Sequence, residues 1–344
     1  MREFFPAVYG NRENRAALAA SLIRNALPHA LIFAGERGSG KHLLSGEVAA
    51  ALLCEEAANA TRPLPCGVCR NCRKAAEGLS PDITYLTPEE GKSRITVDQI
   101  RAMRSDLYLA ANDGDRKVYI IGEADAMNTA AQNALLISLE EPPDGVYIFL
   151  LCESPEALLP TVRSRCQLLR MQLFEPDALS SYLMANEPRA KRLAEESEEK
   201  YRILLEASHG RIGEAKRLLS ASALGVAMRE RELCDAVLNA IGGRSYAALL
   251  TAFSAFPAER RESLAEMLTL LSDGVRDLIL IKRDADVPLT YFYDREKAAG
   301  LSEGVGMRRL LNLEDALDTA LGDLERNANT TLLLQHLCNT VRKF

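Results

Sequence analysis

Apolar residues in the first half of the chain follow two alternating patterns. Short dense runs at residues 30–34 (ALIFA), 117–121 (KVYII) and 147–151 (YIFLL) read as buried strands, and 81–86 (PDITYL) and 167–171 (QLLRM) as two more. Between the runs the spacing lengthens to three and four. It predicts a helix over residues 13–25, a second with Leu43, Leu44, Val48, Leu52 and Leu53 turned to a core, and a third with Val97, Ile100, Met103 and Leu107 on one face. Thr96 and Gln99 are spaced as a capping box for the third helix. Asn128 is placed to cap a helix that carries Ala134, Leu135 and Leu139 and is stopped by Pro142-Pro143. Ser154-Pro155-Glu156 predicts the cap and first turn of a short helix, and residues 89–94 a charged turn. Strands alternating with helices imply a mainly parallel sheet covered on both faces, with function at the carboxyl ends of its strands.

Beyond Pro176 only helical periods remain. Residues 177–213 predict a small helical lid, 220–222 a linker, and 225–344 a helical region with a long apolar face of Leu264, Met267, Leu268, Leu271, Val275, Leu278 and Ile279. Such faces belong to cores more often than to intersubunit surfaces. No internal repeat is evident.

Composition narrows the class without choosing a function. In 344 residues, 47% hydrophobic and 26% charged is the balance of a soluble globular chain long enough for two or three domains. No run approaches the about 18 apolar residues of a membrane span, and the start MREFFPAVYGNRENR lacks the apolar core of a signal peptide, so the expected location is cytoplasmic, with no membrane partner. A formal charge of -6 argues against a wholly basic nucleic-acid binder, and 6% aromatic residues with no Trp leave little for base stacking.

The first strand runs into GERGSGKH, residues 35–42, and then into a helix. Gly35, Gly40 and Lys41 match the G-x-x-x-x-G-K-[ST] phosphate loop, but His42 stands where Ser or Thr should hold Mg²⁺. Glycines such as Gly38 let backbone N–H groups turn to an anion, and Lys41 can reach terminal phosphates. Imidazole is a poor ligand for an ion that prefers hard oxygen donors. A second alteration follows the strand at 117–121, where the acidic pair expected of a phosphate-loop ATPase reads Gly122-Glu123. The plainer alternative is that Glu123 and Asp125 only start the next helix with favourable charge.

Eight cysteines fall into two groups. Cys54, Cys66, Cys69 and Cys72 form a C-x11-C-x2-C-x2-C array, the donor set of a closed structural Zn²⁺ site, with two disulfides or four ordinary thiols as alternatives. Cys152, Cys166, Cys234 and Cys338 stand singly among apolar residues, and burial is their expected role.

Together the loop GERGSGKH, the four cysteines, NALLISLEEPP at residues 133–143 and Ser164-Arg165-Cys166 resemble the clamp-loader branch of the AAA+ family, found in bacterial DNA polymerase III. The resemblance extends over the whole chain. It implies an α/β plus all-α fold: an AAA+ P-loop parallel-sheet domain at 1–173 with an embedded zinc module at about 54–72, a helical lid at 174–220, and a C-terminal helical collar at 221–344 that joins the other loader subunits. It implies that Gly35, Gly38, Gly40, Lys41 and Glu123 are the remnant of a nucleotide site with weak or absent ATP binding. Arg165 becomes an arginine finger acting on a neighbour's ATP, whereas Arg163 is structural. Gly213, in HGRIGEA at residues 209–215, stands where the gamma pattern has a nucleotide-sensing Arg. The implied role is an ATPase-inactive member of the pentameric loader that opens the sliding clamp and sets it on primed DNA. The partners are the gamma/tau and delta subunits, with clamp and primer-template DNA met through the complex and polymerase activity belonging to the holoenzyme. The alternatives are a gamma/tau-type working ATPase, another active P-loop NTPase using Lys41 and Glu123, and a zinc-stabilised interaction protein outside replication.

Overall fold

The computed structural model describes residues 2–59, 61–89, 94–242, 246–285, 287, 289–292, 295–326 and 328–342. Most of the expected charged turn at 89–94 lies outside them. The chain divides into two compact units: residues 1–181 with 209–216, and residues 182–208 with 217–344.

The first unit is a five-stranded sheet with helices on both faces. In chain order its elements are α1 (Arg12–Ile23), β1 (Ala30–Ala34), α2 (Lys41–Leu52), α3 (Arg70–Ala76), β2 (Ile83–Leu86), α4 (Val97–Leu107), β3 (Lys117–Ile121), α5 (Thr129–Glu140), β4 (Val146–Cys152), α6 (Pro160–Arg163) and β5 (Gln167–Arg170). Every pairing is parallel, in the order β2-β3-β4-β1-β5. Alternation along the strands sorts side chains to two cores. Leu31, Phe33, Val118, Ile120, Phe149 and Leu151 face one that takes Leu44, Val48 and Leu52 from α2. Ala30, Ile32, Tyr119, Ile121, Ile148 and Leu150 face the other, with Ile100 and Met103 from α4 and Leu135 and Leu139 from α5. The ends of three strands are level, since Ala34 of β1 pairs with Cys152 of β4 and Arg170 of β5.

Local signals account for several helix starts. Thr96 and Gln99 form the capping box: the Gln99 N–H donates to Thr96 Oγ1 at 3.4 Å, and the Thr96 N–H to Gln99 Oε1 at 2.9 Å. Asn128 Oδ1 accepts the Ala131 N–H at 2.8 Å and caps α5. Three expectations change. Leu43 is exposed, because it lies one residue off the stripe of Leu44, Val48 and Leu52. Ser154 makes no cap; its hydroxyl donates to Glu156 Oε2 at 3.2 Å, and a 3₁₀ turn, Pro155–Ala157, follows. Residues 221–222 are no linker but the first turn of the next long helix, and Ser220 Oγ accepts the Ala223 N–H at 3.3 Å.

The remaining elements are helical: α7 (Pro176–Asn186), α8 (Pro188–Glu196), α9 (Glu198–Ala207), α10 (Ile212–Leu218), α11 (Ala221–Gly242), α12 (Tyr246–Ser254), α13 (Arg261–Lys282), α14 (Arg295–Glu303), α15 (Met307–Glu325) and α16 (Thr330–Arg342). In the second unit Leu264, Met267, Leu268, Leu271, Val275, Leu278 and Ile279 of α13 are all buried in one hydrophobic core with residues of α11, α15 and α16. That face is therefore core within this chain.

Candidate functional site

The phosphate loop leaves β1 after Ala34, where the Gly35 N–H still bonds to the Cys152 carbonyl at 3.0 Å. Gly38 and Gly40 hold φ of 83° and 91°, which a side chain would strain. Lys41 is buried at the start of α2, and its ammonium donates to the carbonyls of Gly35 at 3.0 Å and Glu36 at 3.3 Å. The cation sits against its own loop.

The two altered positions meet in space. A Cβ on Gly122 would lie 3.6 Å from Cε1 of His42, in ordinary contact, and a tighter 3.2 Å from Thr87 Cγ2, so the imidazole borders the place of a residue-122 side chain. Burial lowers the His42 pKa and the Lys41 charge adds to that, against an opposing pull from Glu123, so the ring is neutral at neutral pH. Glu123 is exposed, in a left-handed conformation with φ 53°, and heads the 3₁₀ turn Ala124–Ala126. Asp125 has a structural partner set, accepting from the N–H of Glu153 at 2.8 Å and of Ser154 at 3.3 Å beyond β4.

Sequence reasoning did not find what packs on the loop. The Gly213 N–H donates to the Gly38 carbonyl at 3.1 Å, and a Cβ at Gly213 would lie 3.0 Å from both Cα and O of Gly38. Arg211 pairs with Glu36 at 3.3 Å. Met171, just past β5, lies beneath the loop, its Cβ 2.8 Å from where a Gly35 Cβ would be. No local pattern marks these contacts, because they join segments far apart in the chain.

Cys54, Cys66, Cys69 and Cys72 converge, their sulfurs all within 4.8 Å of one another. Cys66 and Cys72 Sγ are 3.9 Å apart, close to the about 3.8 Å edge of a tetrahedron with metal–sulfur bonds of about 2.3 Å. Backbone N–H groups point at the sulfurs: Cys69 N to Cys66 Sγ at 3.3 Å and Cys72 N to Cys69 Sγ at 3.4 Å. Burial pushes the Cys54 and Cys72 thiols up. At Cys66 burial is outweighed by hydrogen bonds from Cys69 and Val68, which bring it down to about 7. Four soft donors around one point, three of them buried, fit a closed tetrahedral metal site. The N-terminal segment clasps this module: Arg2 donates to the carbonyls of Arg62, Ala57 and Glu56, and the Phe5 N–H to the Leu64 carbonyl at 2.8 Å. Among the described residues the other four cysteines carry no such donor cluster, and burial pushes Cys152, Cys166 and Cys234 up to about 12.

Arg165 follows α6, away from the loop in sequence, and is held by its own segment and by the end of α5. Its Nη2 pairs with Glu140 Oε1 at 2.5 Å, and its Nη1 donates to the Thr161 carbonyl at 2.8 Å and Ser164 Oγ at 3.4 Å. Arg163 is exposed.

A degenerate phosphate loop at the carboxyl edge of a β2-β3-β4-β1-β5 sheet, with a four-cysteine module after its helix, defines an AAA+ type P-loop domain. Residues 10–175 match the family described as DNA polymerase III, delta subunit. DNA polymerase III subunit delta' of Pseudomonas aeruginosa is 43% identical over 138 residues, 40% of this chain and 41% of that protein. The Bacillus subtilis delta' subunit is 35% identical over 164 residues, 48% of each. The tau subunit of Escherichia coli is 31% identical over 282 residues, 78% of this chain and 43% of tau. Over residues 10–175, just under half of the chain, the sequence is thus that of a DNA polymerase III delta-prime type domain. The matches span less than half the length of these relatives.

Proposed function

We propose that the chain is a clamp-loader subunit that does not hydrolyse ATP itself and supplies Arg165 to a neighbouring subunit's nucleotide, within an assembly that loads the sliding clamp onto primed DNA. The observation that carries the first part is the contact between His42 and the Gly122 position. Both groups that should support Mg²⁺ are replaced, and the imidazole lies beside position 122. Nucleotide binding in this site is weak or absent, because Gly213 packs directly on Gly38 and Lys41 is engaged by loop carbonyls. Zn²⁺ is the ion for Cys54, Cys66, Cys69 and Cys72, as a structural clip. The working division is an ATPase-like domain at 1–173, a lid at 174–220 and a collar at 221–344. A groove of about 540 Å³ between α15 and α16, lined by Ala316, Ala320, Leu333 and Leu337 with Asp315 and Asp323, suits the collar to helical partners such as the gamma/tau and delta subunits.

The experiment is ATP hydrolysis by the purified chain, then by the complex with gamma/tau and delta. The chain alone should show background turnover only, and the complex should need it for full activity. A gamma/tau-type working ATPase is the second reading, favoured by the 78% of this chain that aligns with tau. Magnesium-dependent turnover by the isolated chain that disappears in Lys41→Ala would establish that reading instead. Failure to assemble with delta and gamma would leave a metal-stabilised interaction protein outside replication.

A further inference from the structure

Glu140 is in a locally unfavourable place. It is the last residue of α5, and the exposed Glu141 follows, so two carboxylates stand at the end of the helix that carries partial negative charge, with no basic residue in the last turn. Helix ends normally carry the opposite charge, and a broken local rule points to a requirement elsewhere. The charge that answers Glu140 comes from another element: Arg165, at 2.5 Å.

The segment bearing Arg165 is held by α5 at both ends. At its start, the buried Gln132 side chain accepts the Leu159 N–H at 2.7 Å and donates to the Ala157 carbonyl at 3.3 Å. At its end, Glu140 takes one guanidinium edge while the Thr161 carbonyl and Ser164 hydroxyl take Nη1. These contacts use three of the five guanidinium N–H donors. Nε and one Nη2 hydrogen have no partner among the described residues, and about a third of the side chain, 34%, is exposed. The guanidinium is therefore both oriented and incompletely satisfied. A free arginine would lose much of its rotamer entropy on meeting a phosphate, and one already held in a plane loses less.

We propose that Glu140 is the positioning residue for Arg165: it fixes the guanidinium fork in the plane from which the remaining donors reach an anionic phosphate on an adjoining subunit. This rests on the reading of Arg165 as a finger acting in trans. Glu140 does not itself touch the nucleotide. Its pair with Arg165 is half exposed, so it holds the side chain without trapping it.

The test is a double-mutant cycle in the reconstituted complex, reading kcat and KM for ATP with wild type, Glu140→Ala, Glu140→Gln, Arg165→Ala and Glu140→Ala/Arg165→Ala. Glu140→Ala should lower kcat by about fivefold with KM nearly unchanged, while Glu140→Gln, which keeps an acceptor, should restore most of the rate. On the Arg165→Ala background the Glu140 substitution should have no further effect. A wild-type kcat for Glu140→Ala, or an equal loss with and without Arg165, overturns the positioning role while leaving the finger intact. A wild-type rate for Arg165→Ala removes the finger itself, and this role with it. Thermal melting of each isolated chain shows whether a loss of rate follows from loss of fold.

Discussion

A side chain at residue 122 would stand against the imidazole of His42. A Cβ there would touch the ring at 3.6 Å and crowd Thr87 Cγ2 at 3.2 Å, which leaves a carboxylate beyond it to find room between the two. Gly122→Asp should therefore destabilise the chain by about 1–3 kcal/mol as an overpacked core position, and His42→Thr should relieve most of that cost. Thermal denaturation of the two single variants and the double variant measures the coupling, and additive effects would show that the residues do not share the space. The substitutions themselves were visible in the sequence; their contact was not, since it joins residues 80 positions apart. Asp82 is a second residue whose role needed the structure. Burial pushes its pKa up, but the N–H groups of Asn112 and Asp113 at 2.7 and 2.8 Å, the Asn112 amide and the Lys117 charge outweigh burial and hold it below the usual carboxylate range. A depressed folded pKa gives stability that is present above the unfolded value of 3.8 and lost as pH falls through the folded value. The difference in melting temperature between wild type and Asp82→Asn should thus be largest near neutral pH and shrink below about pH 4. A difference that stays constant down to pH 3 would exclude this source of stability.

At the level of elements, local signals were readable and distant ones were not. The capping box at Thr96 and Gln99 and the Asn128 cap depend on atoms three residues apart, so spacing alone identifies them. Ser154 had the same local credentials, but Pro155 removes one N–H from the turn and Glu156 takes the hydroxyl. The cysteine module lies between these cases. Its donor set could be read from spacing, whereas its clasp by Arg2 and the Phe4–Leu64 bridge could not, because they bring the chain's first residues to positions 56–64. Metal analysis should find one Zn²⁺ per chain, and Cys69→Ser should lose it and lower the melting temperature, since a structural ion contributes folding free energy. The same variant should speed hydrogen exchange at the Phe5 and Leu64 amides, which are bonded across the clasp. Full metal content in Cys69→Ser would mean that the four sulfurs do not form one site.

Across the whole molecule, helical periodicity beyond residue 176 was legible, but the grouping of those helices was not. Residues 182–208 belong to one unit and 209–216 to the other, a division that no composition shift marks. It follows from contacts such as the Gly213 N–H on the Gly38 carbonyl in the first unit and Arg231 on Glu206 at 2.6 Å in the second. Each unit buries its own apolar residues. The core of the second draws on residues between Cys234 and Cys338, and the two cores flanking the sheet on residues between Phe5 and Met171. Leu268, fully buried in α13, is therefore a probe of one unit alone. Leu268→Ala should cost about 2–5 kcal/mol of stability, the transfer and cavity terms of a large-to-small change. Because none of the metal donors lies in that core, the variant should still bind one ion per chain and keep the slow exchange of the Phe5 and Leu64 amides at temperatures where it is folded. Chemical denaturation with a parallel metal assay measures both quantities. Loss of the metal together with the α13 core would show that the cysteine module depends on the helical unit, and that the two sets of cores fold as one.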